Sequence, residues 1–483
     1  MAYNAAIMRT LPALLAAAAL AVSAARADAP GSAPRDAAPS VPFEMFRLPN
    51  GLTVVLHVDH TTPIVGIHVQ YDVGSKDEKP GRTGFAHLFE HLMFQGTEHL
   101  PKGVADRLVD AAGGEGNAST SEDTTQYWEQ VPSNALEQML FVQSERMGFL
   151  LPAIDQEKLD NQREVVRNER RQNFEMRPYG LAFKAILENL WPDAFPYHWW
   201  TIGSHEDLQA ATLEDVKEFF RTWYGPENAV LVVAGDVDPA ATRTMVERWF
   251  GWIPGKAPPV HERPSPAPLR EEKRVTLEDD VQLPRLYVAW QTPKLFAPGD
   301  AALDVLAQVL TDGKSARLFK RLVMDERIAQ SVMAAQMSHA LAGGFLVVAT
   351  PKPGVDPERL LREIDEEIAK VAKVLPGKAE LERARNKIES GAVFAVEPLG
   401  GFGGRAAMLA NYYLRTGNPG FLPEDIARYR ALSAQDVSDA ARRYLGAGRV
   451  VLTVVPRAGA KAAGAGGAPK AAPGAAAGKG DAP

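Results

Sequence analysis

The sequence predicts an α+β protein made of two similar, duplicated α/β-sandwich domains that are joined by a proline-rich linker. Three observations indicate this class. The two halves share one order of strand-like runs and amphipathic helices, which is the pattern of an internal duplication. Residues 254–270, PGKAPPVHERPSPAPLR, separate the halves and read as an exposed linker. The chain has 483 residues, 46% of them hydrophobic, which suits one large α/β unit on each side.

Each half is predicted to begin with strands, to continue with helices and to close on a further strand. The first domain is expected at residues 43–253 and the second at residues 271–457. In the first, apolar patterning predicts strands at 52–58 and 64–73, helices at 85–94 and 154–175, and a closing strand at 229–234. In the second, it predicts a strand at 285–291, helices at 301–310 and 378–395, and a closing strand at 450–455.

The composition excludes several classes of protein. No cysteine is present, so disulfides, thiolate metal sites and a thiol nucleophile are excluded. The 53 Lys and Arg residues against 60 Asp and Glu give a formal charge of −7, which offers no reason to expect nucleic-acid binding. Phosphate-binding and dinucleotide-binding glycine motifs are also absent.

The two ends of the chain predict export and flexible tails. Residues 1–27 have the pattern of a signal peptide, with an apolar run at 11–22 that is too short to span a bilayer and a cleavage site near Ala27. An uncleaved anchor is the alternative. No later segment is apolar enough to span a membrane, so an exported protein is expected, periplasmic if the source is Gram-negative. Residues 28–42 are expected to be a flexible leader, and residues 458–483 a disordered Ala/Gly/Pro tail.

The motif His87-Leu88-Phe89-Glu90-His91 carries chemistry through its spacing. Residues i and i+4 of a helix share one face, so His87 and His91 can direct both imidazoles at one point. Two imidazoles, one further ligand and an open position fit a catalytic zinc, which would lower the pKa of its bound water to about 7. Glu90 could take the proton of that water. Chance is the alternative for so short a motif.

Residues 84–97, GFAHLFEHLMFQGT, resemble the zinc-binding helix of the pitrilysin/insulinase family, which includes the mitochondrial processing peptidase and many bacterial homologues. The resemblance implies a third zinc ligand on a later helix, and Glu169, 78 residues after His91, occupies the matching position. Glu164 and Glu157 of the same predicted helix are the reserves. Gln162 stands where some members have another acid, so the surroundings of the ligand differ here.

The second half lacks this set of residues. When Gly96 is aligned with Gly313, the three motif positions are occupied by Asp304, Ala307 and Gln308. When the long helices are aligned, the position of Glu169 is occupied by Gly391. The first copy is therefore predicted to hold the metal and the second to be an inactive repeat.

The resemblance also implies residues that bind substrate. Residues 113–120 and 123–127 resemble the substrate-side edge strand and its neighbour, and Asn117 and Ala118 are the predicted contacts. A simple hairpin is the alternative. Arg405 and Tyr412 resemble an Arg/Tyr pair that the family places over the zinc, with Tyr413 as the alternative hydroxyl and an ordinary helix surface as the other interpretation.

We therefore expect a zinc metalloendopeptidase with one Zn²⁺ per chain, held by His87, His91 and Glu169, in which Glu90 activates water. Manganese or cobalt remains open. The resemblance implies that the chain is half of a clam-shell chamber for peptides, completed as a homodimer or as a heterodimer with a metal-free sister subunit. Two alternatives have no catalysis: a structural or assembly subunit of the same fold, and a peptide-binding member that uses the edge strand alone.

Overall fold

The computed structural model describes residues 38–457. The predicted signal peptide, the first ten residues of the leader and the predicted tail lie outside the described residues. No helix within the described part of the chain is long and apolar enough to cross a membrane.

Eleven strands and fourteen α-helices are found in residues 38–457. The strands are β1 (Glu44–Arg47), β2 (Thr53–Val58), β3 (Ile64–Tyr71), β4 (Glu115–Thr120), β5 (Thr125–Pro132), β6 (Ala229–Gly235), β7 (Lys273–Asp279), β8 (Arg285–Thr292), β9 (Ala329–Ser338), β10 (Gly343–Pro351) and β11 (Arg449–Pro456). The helices are α1 (Phe85–Leu92), α2 (Val104–Ala112), α3 (Leu136–Ala153), α4 (Gln156–Arg170), α5 (Ala182–Leu190), α6 (His205–Ala210), α7 (Leu213–Trp223), α8 (Pro239–Phe250), α9 (Asp300–Thr311), α10 (Pro357–Lys373), α11 (Lys378–Ala395), α12 (Arg405–Thr416), α13 (Leu422–Ala431) and α14 (Ala434–Tyr444).

Two mixed sheets with the same topology confirm the predicted α+β class and the similarity of the halves. The first sheet has the order β1-β2-β6-β3-β5-β4, and the second has the order β7-β11-β8-β10-β9. In each sheet one pair is parallel, β2 with β6 and β7 with β11, and the other pairs are antiparallel. The second sheet thus repeats five strands of the first, and β1 is the addition.

The predicted long helix of the first half is shorter in its regular part than the apolar pattern suggested. Asp155 caps α4 by accepting a hydrogen bond from the Lys158 amide, and the α-helix ends at Arg170. Residues Arg171–Glu175 continue it as one π-helical turn. The π-helical turn widens the helix just after Glu169. Such π-bulges are often found at functional sites.

Each sheet is covered on one face by a helix from the other half of the chain. Helix α12 packs on β6 and β3, where Leu409 meets Val232 in one apolar cluster. Helix α5 packs on β11 and β8, where Ile186 and Leu452 share another. The central strands are apolar on both faces, so each needs cover on both sides. Because each half of the chain supplies a helix that covers the sheet of the other half, residues 38–457 belong to one compact unit.

The segment 254–270 contains no helix or strand and is largely exposed. It is attached to the first domain at His261, whose Nδ1 lies 2.9 Å from Asp77 Oδ1 and whose Nε2 lies 3.2 Å from Asn228 Oδ1. At its other end the segment contacts the second domain, where the Leu269 amide donates to Gln291 Oε1 at 2.9 Å.

Candidate active site

Local contacts fix where helix α1 begins. Gly84 has φ of +87°, and a Cβ there would lie 2.9 Å from Gly203 Cα, so a glycine is required. The carboxylate of Glu78 accepts hydrogen bonds from the amides of Gly84 and Ala86 at 3.0 and 2.8 Å, which satisfies two of the free donors at the start of the helix. The apolar side of α1 is buried in the core of the first domain through Leu88, Phe89 and Leu92.

Helices α1 and α4 bring His87, His91 and Glu169 together. Glu169 Oε2 lies 3.6 Å from His87 Nε2 and 3.3 Å from His91 Nε2, and the two imidazole centroids are 4.8 Å apart. One ligand atom from each residue lies within 4.8 Å of the others. The structure thus unites the three residues that the motif and the resemblance selected. Glu164 is exposed and pairs with Arg167, and Glu157 is also exposed, so neither reserve belongs to the cluster.

The donor set fits a zinc ion. His91 Nε2 is buried and has no hydrogen-bond partner, although it lies close to the Glu169 carboxylate. Burial, together with neighbouring His91, lowers the pKa of His87 to about 4, which keeps its imidazole neutral. Burial alone would raise the pKa of Glu169, but its contact with His91 and the nearby imidazoles hold it below the ordinary value. Two imidazoles and an ionised carboxylate are ligands that zinc prefers.

Glu90 lies beside this cluster but is not part of it. Its carboxylate Oε2 accepts a hydrogen bond of 2.7 Å from the Thr120 hydroxyl. Burial raises the pKa of Glu90 to about 7, and the bond from Thr120 opposes that rise. A carboxylate that titrates near neutral pH is suited to accept and return a proton.

The metal-free protein is expected to be stabilised at pH 8 when Glu90 is replaced by glutamine. Glu90 has a folded pKa of about 7 against an ordinary 4.5, a difference of about 2.5. Because its pKa is higher in the folded than in the unfolded chain, protonated Glu90 adds to the free energy of unfolding. This stabilisation is complete below about pH 4.5 and is lost as the pH rises through 7. Glutamine does not ionise, so Glu90→Gln should gain up to about 3 kcal/mol at pH 8. Denaturant unfolding of chelator-treated protein measures this, and a gain that is larger at pH 5 than at pH 8 contradicts it.

Thr120 is a functional candidate that the sequence analysis missed. It ends strand β4, and in the sequence it is one of several small hydroxyl residues in a row. Only the folded structure shows that its hydroxyl faces Glu90, because the contact joins residues 30 positions apart.

For the peptide cleavage that the sequence predicts, Thr120→Val is expected to lower kcat/KM by roughly 10- to 100-fold, since a hydrogen bond to a charged group is worth about 1.5–3 kcal/mol. Loss of the donor should also raise the pKa of Glu90, which moves the acidic limb of the pH–rate profile to higher pH. Thr120→Ser keeps a hydroxyl and should retain most activity. Equal rates and pH profiles for the valine and serine variants would show that the hydroxyl has no role.

Strand β4 lies at the edge of the first sheet, as predicted, with one side of its backbone unpaired. The hydrogen bond from the Ser121 amide to the Thr124 carbonyl closes the β4–β5 turn. Along an antiparallel strand, every second residue bonds the neighbouring strand, so from Ser121 backwards the odd-numbered residues bond β5 and the even-numbered residues point away from it. Gly116, Ala118 and Thr120 accordingly direct their backbone groups to the free edge. Asn117 Oδ1 accepts the Ala118 amide at 2.8 Å, so that donor is bonded within the strand.

Two family models match the chain over most of its length. One, described as insulinase (peptidase family M16), matches residues 53–195, and the other, described as the peptidase M16 inactive domain, matches residues 210–388. The chain belongs to the M16 peptidase family.

Individual M16 relatives agree with this assignment. The chain is 31% identical to the zinc protease PqqE of Helicobacter pylori over 350 residues, which cover 71% of this chain and 77% of the relative. It is 25% identical to a probable mitochondrial-processing peptidase subunit beta of Arabidopsis thaliana over 412 residues, 82% and 75% of the two chains. The crystal structure of a protease from Helicobacter pylori superposes with a TM-score of 0.80 at 28% identity, covering 86% of this chain and all of the other.

The second M16 repeat has no equivalent metal cluster. Among residues 38–457, His87, His91 and Glu169 are the one group with metal-ligand geometry. In α9, which corresponds to α1, Asp304 accepts a hydrogen bond of 2.8 Å from the Tyr429 hydroxyl. The model described as the peptidase M16 inactive domain matches residues 210–388, a range that includes α9.

Arg405 and Tyr412 lie on α12, across the first sheet from α1. Arg405 Nη1 donates to Asp59 Oδ2 at 2.6 Å, and the Tyr412 hydroxyl donates to Asp425 Oδ2 at 2.9 Å. The alternative hydroxyl, Tyr413, is 2.7 Å from the Thr53 hydroxyl. The structure therefore does not bring these side chains to the His87 cluster within one M16 chain.

Proposed function

We propose that the chain is a zinc-dependent endopeptidase that hydrolyses peptides and unfolded protein segments. The observation that carries this proposal is the meeting of His87, His91 and Glu169 with Glu90 alongside. Relatives named zinc proteases support it. The same three residues would hold one Zn²⁺, which would supply a Lewis acid for the scissile carbonyl and for water.

Glu90 would perform the proton transfers. Its carboxylate would take a proton from the attacking water and return it to the leaving amine. Thr120 would hold the carboxylate through its hydroxyl, so that one oxygen stays available for the proton. Glu90 is 6% exposed, which would limit the access of bulk water to the carboxylate, and a pKa of about 7 would suit proton transfer near neutral pH.

The free edge of β4 would bind the substrate as an added strand. Gly116 offers its backbone amide and carbonyl, Ala118 offers its carbonyl, and the strand ends at Thr120 beside Glu90, so a bound peptide would be led to the base. A peptide that pairs with Ala118 must replace Asn117 Oδ1 at its amide, and the released carboxamide of Asn117 could then bind the peptide backbone. Backbone recognition of this kind favours extended chains over folded proteins.

A second subunit would complete the site. Arg405 and Tyr412 lie on the sheet face opposite the cluster, so they could serve a metal site only on another chain. We propose a clam-shell chamber formed as a homodimer or with a metal-free sister subunit. The mass of the purified protein in solution distinguishes these arrangements from a monomer.

Export to the periplasm is also proposed, since residues 1–27 have the pattern of a signal peptide. The N-terminal sequence of the mature protein tests it, and an intact Met1 in the exported protein would contradict cleavage near Ala27.

Cleavage of an unstructured, fluorescence-quenched peptide by the mature chain tests the activity. One zinc per chain, loss of cleavage with a chelator and recovery with added zinc are expected. No cleavage despite bound zinc would indicate a structural subunit. Peptide binding that a chelator leaves unchanged, without cleavage, would indicate a peptide carrier.

A further inference from the structure

The turn between β4 and β5 is joined to the equivalent turn of the second domain. Asp123 Oδ2 accepts the Ala340 amide at 2.8 Å, and Asp123 Oδ1 accepts the Tyr197 hydroxyl at 2.6 Å. That hydroxyl in turn accepts the Leu341 amide at 2.9 Å. Ala340 and Leu341 form the turn between β9 and β10, which corresponds to the β4–β5 turn in the shared topology.

The Asp123 carboxylate is buried and ionised. It is 5% exposed, and burial alone would raise its pKa, but the charges of Arg415, His339 and Lys76 hold the pKa below the ordinary value. Arg415, from α12, lies 3.4 Å from Oδ2, and Lys76 Nζ donates to the Asp123 carbonyl at 3.1 Å. Both carboxylate oxygens therefore accept hydrogen bonds, one from the Tyr197 hydroxyl and one from the Ala340 amide, and the Arg415 guanidinium lies beside them.

The first domain holds the other side of the same turn. The Ser75 amide donates to the Ser121 carbonyl at 3.2 Å, and the Lys76 amide donates to the Glu122 carbonyl at 2.8 Å. Thr120, immediately before this turn, bonds Glu90. The end of β4 is thus fixed by the active-site domain on one side and by the inactive repeat on the other.

We propose that Asp123 is a positioning residue through which the inactive repeat holds the edge strand β4 in place for substrate pairing beside Glu90. The inference rests on the proposed peptidase function. It assigns a task to the repeat that lost its metal site: contact from its β9–β10 turn keeps the substrate strand of the other domain ordered.

Order in β4 matters because an added peptide strand gains hydrogen bonds only from a backbone that is already extended. If the turn is released, the strand must be ordered again each time a peptide binds, and that entropy opposes binding. The effect should appear in KM and in peptide affinity more than in metal binding, since no metal-cluster residue contacts Asp123.

Asp123→Asn tests the proposal with minimal change of shape. A carboxamide has one acceptor oxygen, so its NH₂ group must face either the Ala340 amide or the Tyr197 hydroxyl. Asp304→Asn is the matched control, because Asp304 is a largely buried acid that bonds Tyr429 and has no contact with the β4–β5 turn. Tyr197→Phe is a second, milder variant that removes only the hydroxyl shared by the two turns.

Three readouts are compared at temperatures where every variant is folded. For Asp123→Asn we expect about 10-fold faster amide exchange in residues 115–120, about 10-fold weaker peptide binding in a Glu90→Gln background and a rise in KM of similar size, with one zinc per chain retained. Tyr197→Phe should shift each readout in the same direction by a smaller factor, and Asp304→Asn should leave all three unchanged.

The proposal is overturned if amide exchange, peptide affinity and KM all equal the wild-type values in both Asp123→Asn and Tyr197→Phe. A fall in melting temperature would not rescue it, because Asp123 would then be structural only. If Asp123→Asn does not fold, Tyr197→Phe alone decides. Exchange and peptide binding do not require cleavage. They therefore judge the positioning role even if the wild type proves to have no peptidase activity, which the zinc and chelator assay measures separately.

Discussion

Glu90→Gln is expected to lower kcat/KM for an unstructured peptide by about 10²- to 10⁴-fold, the range that general acid–base catalysis supplies. Glutamine has nearly the same shape and can still accept the Thr120 hydroxyl, but it cannot take up a proton. Because Glu90 lies outside the cluster of His87, His91 and Glu169, the variant should bind zinc as the wild type does.

Metal analysis and peptide binding are the controls for this variant. An inactive Glu90→Gln protein with one zinc per chain and unchanged peptide affinity isolates the proton-transfer step. Cleavage at the wild-type rate would remove Glu90 from the mechanism, and loss of zinc together with activity would instead make it part of the metal site.

Glu169→Ala is expected to abolish both zinc retention and peptide cleavage. Glu169 is the one carboxylate in the cluster, and without it two imidazoles on a single helix remain to hold the ion. Loss of an outer partner of a metal ligand typically costs 10- to 100-fold in affinity, and loss of the ligand itself should exceed about 100-fold. Competition with a chromogenic zinc chelator measures the affinity.

Glu164→Ala provides the matched control on the same helix. Glu164 is exposed and bonds Arg167, so its removal should change neither zinc affinity nor activity. If Glu169→Ala keeps a full equivalent of tightly bound zinc, the third ligand is a different group and the proposed site is wrong.

The sequence could predict the cluster because its parts are local or family-specific. The i, i+4 spacing places His87 and His91 on one face of any helix, and the resemblance points to Glu169. The apolar runs of β6 and β8 likewise predict strands that are buried on both faces.

Long-range contacts could not be predicted in the same way. The run at β6 requires cover on both faces, but nothing in it indicates that α12, far along the chain, supplies that cover. The bond from Thr120 to Glu90 and the bonds from Asp123 to the β9–β10 turn depend on how two sheets and their turns meet. Periodicity identifies which face of an element is buried and leaves its partner unspecified.

The exchange of α5 and α12 bears on how such a molecule can evolve. Deleting the repeat that has no metal cluster would remove α12 and expose one face of the first sheet, where Val232 and Leu409 meet. It would also remove the second sheet, against which α5 packs. Mutation can therefore erode the ligands of one copy at little cost, whereas the copy itself cannot be discarded. The shared hydrophobic packing therefore requires both copies of the domain, whether or not the second copy keeps a metal site.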